Sequence, residues 1–105
     1  MNLRPLTAQE RTAALLKAAA ARGTRAEIKS QLKTGKTTVA DVLLAGDGDA
    51  AIGRLKVTEL LEALPGVGRV RAAAIMSTVG IAPTRRLRGL GIHQRRALVE
   101  MLGQS

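Results

Sequence analysis

Two short segments of this chain combine paired glycines with arginines, a combination suited to holding phosphate groups. The first covers residues 64–71 (LPGVGRVR), and the second covers residues 85–91 (RRLRGLG). Glycine lets a ligand approach the backbone closely, and a helix that starts behind it presents free N–H groups and the positive end of its dipole. Arginine adds a permanent charge and forked donors that match phosphate. Two such segments in one small chain indicate a nucleic-acid backbone as the ligand.

The charge of the chain supports a polyanionic partner. It has 105 residues with 17 lysines and arginines against 8 aspartates and glutamates, which gives a formal net charge of +9. Basic residues dominate residues 1–40 and 65–105, whereas residues 41–64 carry two basic and five acidic side chains. Four cations spaced three or four residues apart form a stripe on the predicted first helix, which indicates either a second DNA-binding surface or the solvent face of an amphipathic helix. The stripe consists of Arg22, Arg25, Lys29 and Lys33.

Composition excludes several other classes of protein. The chain has no cysteine and no aromatic residue, which argues against disulfides, thiol catalysis, zinc fingers and base stacking on a single strand. The single histidine, His93, has no metal partner at a suitable spacing, and the triplet Gly35-Lys36-Thr37 lacks the first glycine of a P-loop. We therefore expect no catalytic residue, metal or cofactor. The lack of a long apolar run predicts a cytoplasmic protein that does not enter a membrane.

Helical periodicity extends over nearly the whole chain. Thr7 and Glu10 predict a helix start near residue 8, and the pattern continues to Gly35, although Gly23 leaves open a break in that helix. Thr38 and Asp41 predict a second, short helix, which we expect to end before a loop over residues 46–49. The next two helices are predicted over residues 57–64 and 69–79, with apolar residues at i, i+3, i+4 and i+7.

The C-terminal part of the chain is predicted to be helical as well. Pro83 suits the first turn of a short helical segment, residues 88–91 are predicted as a loop, and a last helix is predicted from Ile92. Two methionines at helical spacing, Met76 and Met101, are interpreted as core residues. With no credible strand, the fold class is all-α. Residues 1–36 are predicted as an N-terminal helical arm, and residues 37–105 as the core.

These motifs resemble those of a known protein family. The segments over residues 52–57, 60–62, 64–68 and 85–91 are similar to those of the actinobacterial integration host factor, and the resemblance extends from about residue 5 to residue 102. It implies a long N-terminal helix followed by a helix-two-turns-helix core. It also implies a nucleoid-associated protein that binds double-stranded DNA with little sequence preference, bends, bridges or compacts it, alters its topology and assists phage integrase. We expect the protein to be a monomer in solution.

The motifs together define the predicted site. We expect the hairpin and the arginine cluster to hold the phosphates of one duplex, and the stripe on the first helix is a candidate for a second surface. The predicted nucleic-acid-binding residues are Gly66, Val67, Gly68, Arg69, Arg71, Arg85, Arg86, Arg88, Gly89 and Gly91.

Two alternative functions use the same core. Structured RNA would satisfy the charge pattern equally well, since a small-subunit ribosomal protein shares the helix-two-turns-helix core. Base-excision glycosylases also contain this core, but their catalytic proline follows the initiator methionine, a position that Asn2 occupies here.

Overall fold

A computed structural model describes residue 5 and residues 7–102 of the chain. The predictions at Asn2 and within residues 1–4 and 103–105 lie outside this part. The described residues form six α-helices and no strand, which confirms the all-α fold class. The helices are α1 (Ala8–Lys33), α2 (Val39–Gly48), α3 (Ala50–Gly53), α4 (Val57–Glu62), α5 (Arg69–Val79) and α6 (Ile92–Leu102).

Helix α1 is continuous through Gly23, so the break left open at that position does not occur. The predicted capping box is present, because the Thr7 hydroxyl accepts from the Glu10 N–H at 3.0 Å and the Glu10 carboxylate accepts from the Thr7 N–H at 3.3 Å. At 1.5 Å per residue, the 26 residues of α1 span about 39 Å. The last part of the helix packs on the core through Leu32, which is 1% exposed, whereas residues 11–20 are exposed throughout. The division of the chain at residue 36 stays a prediction.

The prediction of a loop over residues 46–49 is wrong. Helix α2 continues through Gly46 to Gly48, and Asp49 then caps α3, since its carboxylate accepts from the N–H groups of Ala51 (2.8 Å) and Ile52 (3.3 Å). Helix α3 was not predicted. A Cβ atom built on Gly53 would lie 2.9 Å from the Gly46 carbonyl oxygen, so these glycines serve a close approach of two backbones.

The core consists of aliphatic side chains from all the helices. The predicted inner face of α4 is confirmed, because Val57, Leu60 and Leu61 are fully buried and Leu64 is 4% exposed. In α6 the inward residue is Leu98, while Met101 is 48% exposed, so the prediction of a core role was wrong for Met101. It lies in the last turn of α6, where Leu102 instead of Met101 packs against the core.

The segment between α5 and α6 also differs from the prediction. Pro83 and Thr84 form a turn, closed by the Arg85 N–H that donates to the Ala82 carbonyl at 3.0 Å, instead of a helical segment. The helical turn comes later, as a single 3-10 turn over Leu87–Gly89, where a loop was predicted. Burial of Leu87 and Leu90 explains the shift, because a tight turn brings both side chains into the core.

Candidate nucleic-acid interface

The hairpin between α4 and α5 presents unobstructed backbone. Gly66 has φ +77, a conformation that favours glycine, and the Val67 N–H donates to the Leu64 carbonyl at 3.2 Å to close the turn. Gly68 precedes α5 in an extended conformation, and no side chain caps this helix start. The first N–H groups of α5 have no partner within the helix and point outwards behind the glycines. This arrangement can accept an anion.

The hairpin faces helix α1 across an open cavity of about 700 Å³. Lys29, Ser30 and Lys33 contribute the α1 wall, and residues 63–68 contribute the opposite wall. Two of the four stripe cations therefore lie on the cavity that the hairpin glycines line. An anion in this cavity can meet backbone donors on one side and ammonium groups on the other.

The arginine cluster at residues 85–88 is fixed to the N-terminus of α4 by two backbone hydrogen bonds. The Val57 N–H donates to the Arg85 carbonyl at 3.0 Å, and the Leu87 N–H donates to the Leu55 carbonyl at 2.9 Å. These bonds flank an isolated antiparallel bridge between Lys56 and Arg86. The pairing holds the loop against the core and leaves its arginine side chains exposed.

The three arginines of the cluster differ in their contacts. Arg86 Nη1 donates to the Arg54 carbonyl at 2.6 Å, and Arg85 Nη1 donates to the Gly89 carbonyl at 3.2 Å. The Arg88 side chain has no hydrogen bond or ion pair with any residue that the structure describes. Two of these side chains thus help to hold the loop, while the Arg88 guanidinium keeps all its donors available.

A second cavity, of about 560 Å³, lies between α1 and the arginine cluster. Its basic residues come from three separate parts of the chain: Arg22, Arg25, Arg54, Arg86 and Arg88. Glu59 borders both cavities, so the two adjoin each other. The stripe on α1 is consequently part of the same surface as the hairpin and the cluster, and not a separate face. We call this joint surface the basic concavity, defined by Arg22, Arg25, Lys29, Lys33, Arg54, Arg86, Arg88 and the backbone of residues 66–68.

Packing between α1 and α4 creates this surface. Lys29 Nζ lies 3.6 Å from Glu59 Oε1, and the other oxygen of Glu59 accepts from the Lys56 N–H at 3.3 Å. Arg25 Nη1 reaches the Ala51 carbonyl at 3.4 Å. Glu59 is therefore an acidic residue inside a basic surface, where it orients Lys29 and reduces the positive field.

Some predicted site residues lie outside these two cavities. Arg69 and Arg71 are exposed on the first turn of α5, beyond the hairpin glycines. The Gly91 N–H donates to the Gln94 side chain at 3.0 Å and so belongs to the start of α6, while Gly89 lies beside Arg85. Arg54, in contrast, was not predicted. It stands in the acidic middle of the chain without a neighbouring glycine pair, and only the fold brings it to the cluster.

Other kinds of site have little support in this part of the chain. Among residues 5 and 7–102, no group of histidine, aspartate and glutamate side chains could hold a metal ion. Of the helices described, none has the length and apolar character needed to cross a membrane.

Comparison with known proteins gives consistent similarities. Residues 32–102 match the model of the S13-like H2TH domain family. Over its full length the chain is 54% identical to the Integration host factor of Mycobacterium tuberculosis and 55% identical to that of Mycolicibacterium smegmatis, each of which is matched over its whole length. A structure of sIHF bound to an 8-base-pair palindromic DNA aligns with a TM-score of 0.81 and 48% identity, over 83% of this chain and 98% of the other.

Proposed function

This chain belongs to the integration host factor family of actinobacteria, and we propose that it is a nucleoid-associated protein that binds double-stranded DNA. The observation that carries the proposal is the basic concavity, which joins seven cations and the open start of α5 on one face. A duplex backbone needs such a face, because it presents a continuous row of phosphates and not a single anion.

The geometry suggests how the phosphates would be held. In the first cavity the N–H groups behind Gly68 would donate to phosphate oxygens, and Lys29 and Lys33 would contribute charge from the opposite wall. In the second cavity Arg88 would bind a further phosphate with both arms of its guanidinium. Each contact is made to the backbone, which carries no sequence information. We therefore propose binding with little sequence preference.

We further propose that the protein bends, bridges or compacts DNA and thereby changes its topology. A concave surface with cations on both walls favours a duplex that curves into it, because bending brings more phosphates within reach. Relaxation of a plasmid by topoisomerase in the presence of the protein tests the change of topology, since a constrained loop or a constrained change of twist leaves altered supercoiling after the protein is removed. An unchanged ladder of topoisomers at saturating protein would contradict that change of topology.

We propose that the protein works as a monomer at ordinary concentrations, in the cytoplasm and on the nucleoid, and without catalysis. The name shared by its relatives supports an assisting role with phage integrase as a partner. An integration assay with purified integrase, with and without the protein, tests that role directly.

The decisive experiment measures binding to random-sequence duplex DNA over a series of salt concentrations, with ribosomal RNA as competitor. If about six phosphates are neutralised, log K falls against log salt with a slope of about −5. Tight binding that RNA fails to displace is the expected result. Preferential displacement by RNA would instead support the structured-RNA alternative and assign the same cations to an RNA backbone.

A matched pair of variants links the binding to the surface. Replacement of Arg85, Arg86 and Arg88 together by alanine removes the cluster, and replacement of Arg95 and Arg96 by alanine removes two cations from α6, which lines neither cavity of the basic concavity. We expect a large loss of affinity from the first variant and a small loss from the second. Losses of binding free energy in the ratio of the charges removed, three to two, would mean that net charge alone governs binding.

A further inference from the structure

An apolar groove of about 520 Å³ lies between α2 and α6. Its floor and edges include Leu44 and Ile92, which are 70% and 68% exposed, together with the half-buried Val99. Isolated apolar residues on a surface are ordinary, but neighbouring ones that line a common groove mark an interaction site. None of the residues that line this groove lines the basic concavity.

The charged residues of the groove show what kind of partner it fits. Arg96 and Glu100 stand one helical turn apart on α6, and neither side chain has a hydrogen bond or ion pair with any residue that the structure describes. The neighbouring Arg95 is already paired, with its guanidinium nitrogens 2.8 and 3.0 Å from the carboxylate of Asp47. The available charges of the groove are thus one positive and one negative group, four residues apart.

Such a pair makes α6 complementary to its own copy. When two identical helices run antiparallel across a two-fold axis, a residue at position 96 of one meets position 100 of the other, and the reverse contact forms at the same time. The result is two opposite-charge pairs on either side of a shared apolar strip. A partner with charge of a single sign would leave one of the two groups opposed by a like charge.

We propose that the groove between α2 and α6 is a surface through which two copies of this chain associate. We expect this interface to be weak, so that the free chain is a monomer at micromolar concentration and pairs at about millimolar concentration. Copies bound to one DNA molecule reach such local concentrations. Because each copy keeps its basic concavity free, a pair can hold two duplex segments together. This last consequence rests on the proposed DNA binding, whereas the pairing itself does not.

Charge reversal tests the two-fold arrangement by sedimentation velocity over a concentration series. Arg96→Glu and Glu100→Arg change the net charge from +9 to +7 and to +11, so a loss of pairing in both variants cannot come from net charge. We expect each variant alone to remain monomeric throughout. An equimolar mixture of the two should pair again, since both contacts become complementary in the mixed dimer. The double variant should pair as the unmodified chain does.

An apolar pair of variants provides the matched control. Leu44→Glu places a charge in the groove and should abolish pairing, while Leu15→Glu alters a residue of equal exposure, 70%, on α1 and should not. Circular dichroism confirms that each variant is folded.

A folded, unmodified chain that stays monomeric up to millimolar concentration would overturn the inference, as would a mixture that behaves like its separate components. A gel shift on the same samples reports duplex binding separately. Failure of DNA binding with intact pairing would therefore refute the proposed function and leave the interface in place.

Discussion

Replacement of Gly68 by alanine separates the folding role of the hairpin from its proposed phosphate-binding role. The backbone of Gly68 is extended, with φ −92 and ψ −174, and any residue can adopt this conformation. A Cβ atom built there meets nothing within 4 Å. Alanine is a poorer N-cap than glycine, but it also restricts the unfolded chain, so the two effects oppose each other. We expect the free energy of unfolding to change by less than about 1 kcal/mol.

Binding should respond much more strongly than stability. Gly68 lines the cavity between the hairpin and α1, so an added methyl group occupies space at the wall that a phosphate must approach. Loss of one hydrogen bond to a charged group costs about 1.5–3 kcal/mol. That cost corresponds to roughly 10- to 150-fold weaker duplex binding. Fluorescence anisotropy with a labelled duplex measures the affinity, and urea denaturation followed by circular dichroism measures the stability.

Two further glycine variants make the result interpretable. Gly66 has φ +77, so alanine there is strained by about 1–2 kcal/mol and should lower the stability measurably. Gly48 is exposed at the last position of α2 with open space around it, so alanine should raise the stability by less than about 1 kcal/mol and leave the affinity unchanged. If the folded Gly68→Ala variant binds as tightly as the unmodified chain, the N–H groups behind the hairpin do not hold phosphate.

Side-chain contacts in the basic concavity and the contact between α2 and α3 can be tested by single substitutions. Arg88→Ala should reduce the salt slope of duplex binding by about 1 and leave the stability unchanged. Arg86→Ala should reduce the slope in the same way but also lower the free energy of unfolding by about 1 kcal/mol, because its hydrogen bond to the Arg54 carbonyl is lost. Equal melting curves for the two variants would contradict this difference. Glu59→Gln should tighten duplex binding several-fold, as measured by fluorescence anisotropy, because it removes a negative charge from the basic concavity. Weaker binding would show that the orientation of Lys29 by Glu59 matters more than the negative charge. Gly53→Ala should cost about 1–3 kcal/mol in urea denaturation through overpacking, a prediction that an unchanged midpoint would refute.

The sequence predicts the helices with strong apolar periodicity, and it fails where glycine has a tertiary role. The inner faces of α4 and α5 follow from spacing alone, because a helix has to bury a contiguous stripe. Gly46 and Gly48 suggest a turn by composition. In the structure Gly46 instead permits close contact between α2 and α3, and this requirement is visible only when both backbones are in place.

The candidate site also combines features that local sequence patterns predict with features that depend on tertiary packing. Local patterns locate the hairpin and the arginine cluster, since each consists of neighbouring residues. The position of α1 beside them depends on the packing of α1 against α4. Lys29 and Glu59 are 30 positions apart in the sequence, and this packing brings their charged atoms to within 3.6 Å of each other. Arg54 could not be predicted for the same reason, as its role depends on the loop at residues 85–88 returning to the start of α4.

The two hydrogen bonds that fix this returning loop affect both the rate of DNA binding and its cost in conformational entropy. The amides of Val57 and Leu87 exchange with solvent only when the loop lifts away from α4, so their protection measures how much of the time the arginines are in place. A loop that is closed before DNA arrives has already lost its conformational entropy during folding, and binding does not have to supply it again. Core mutations that loosen the start of α4 would then slow DNA binding, although every charge on the surface is retained.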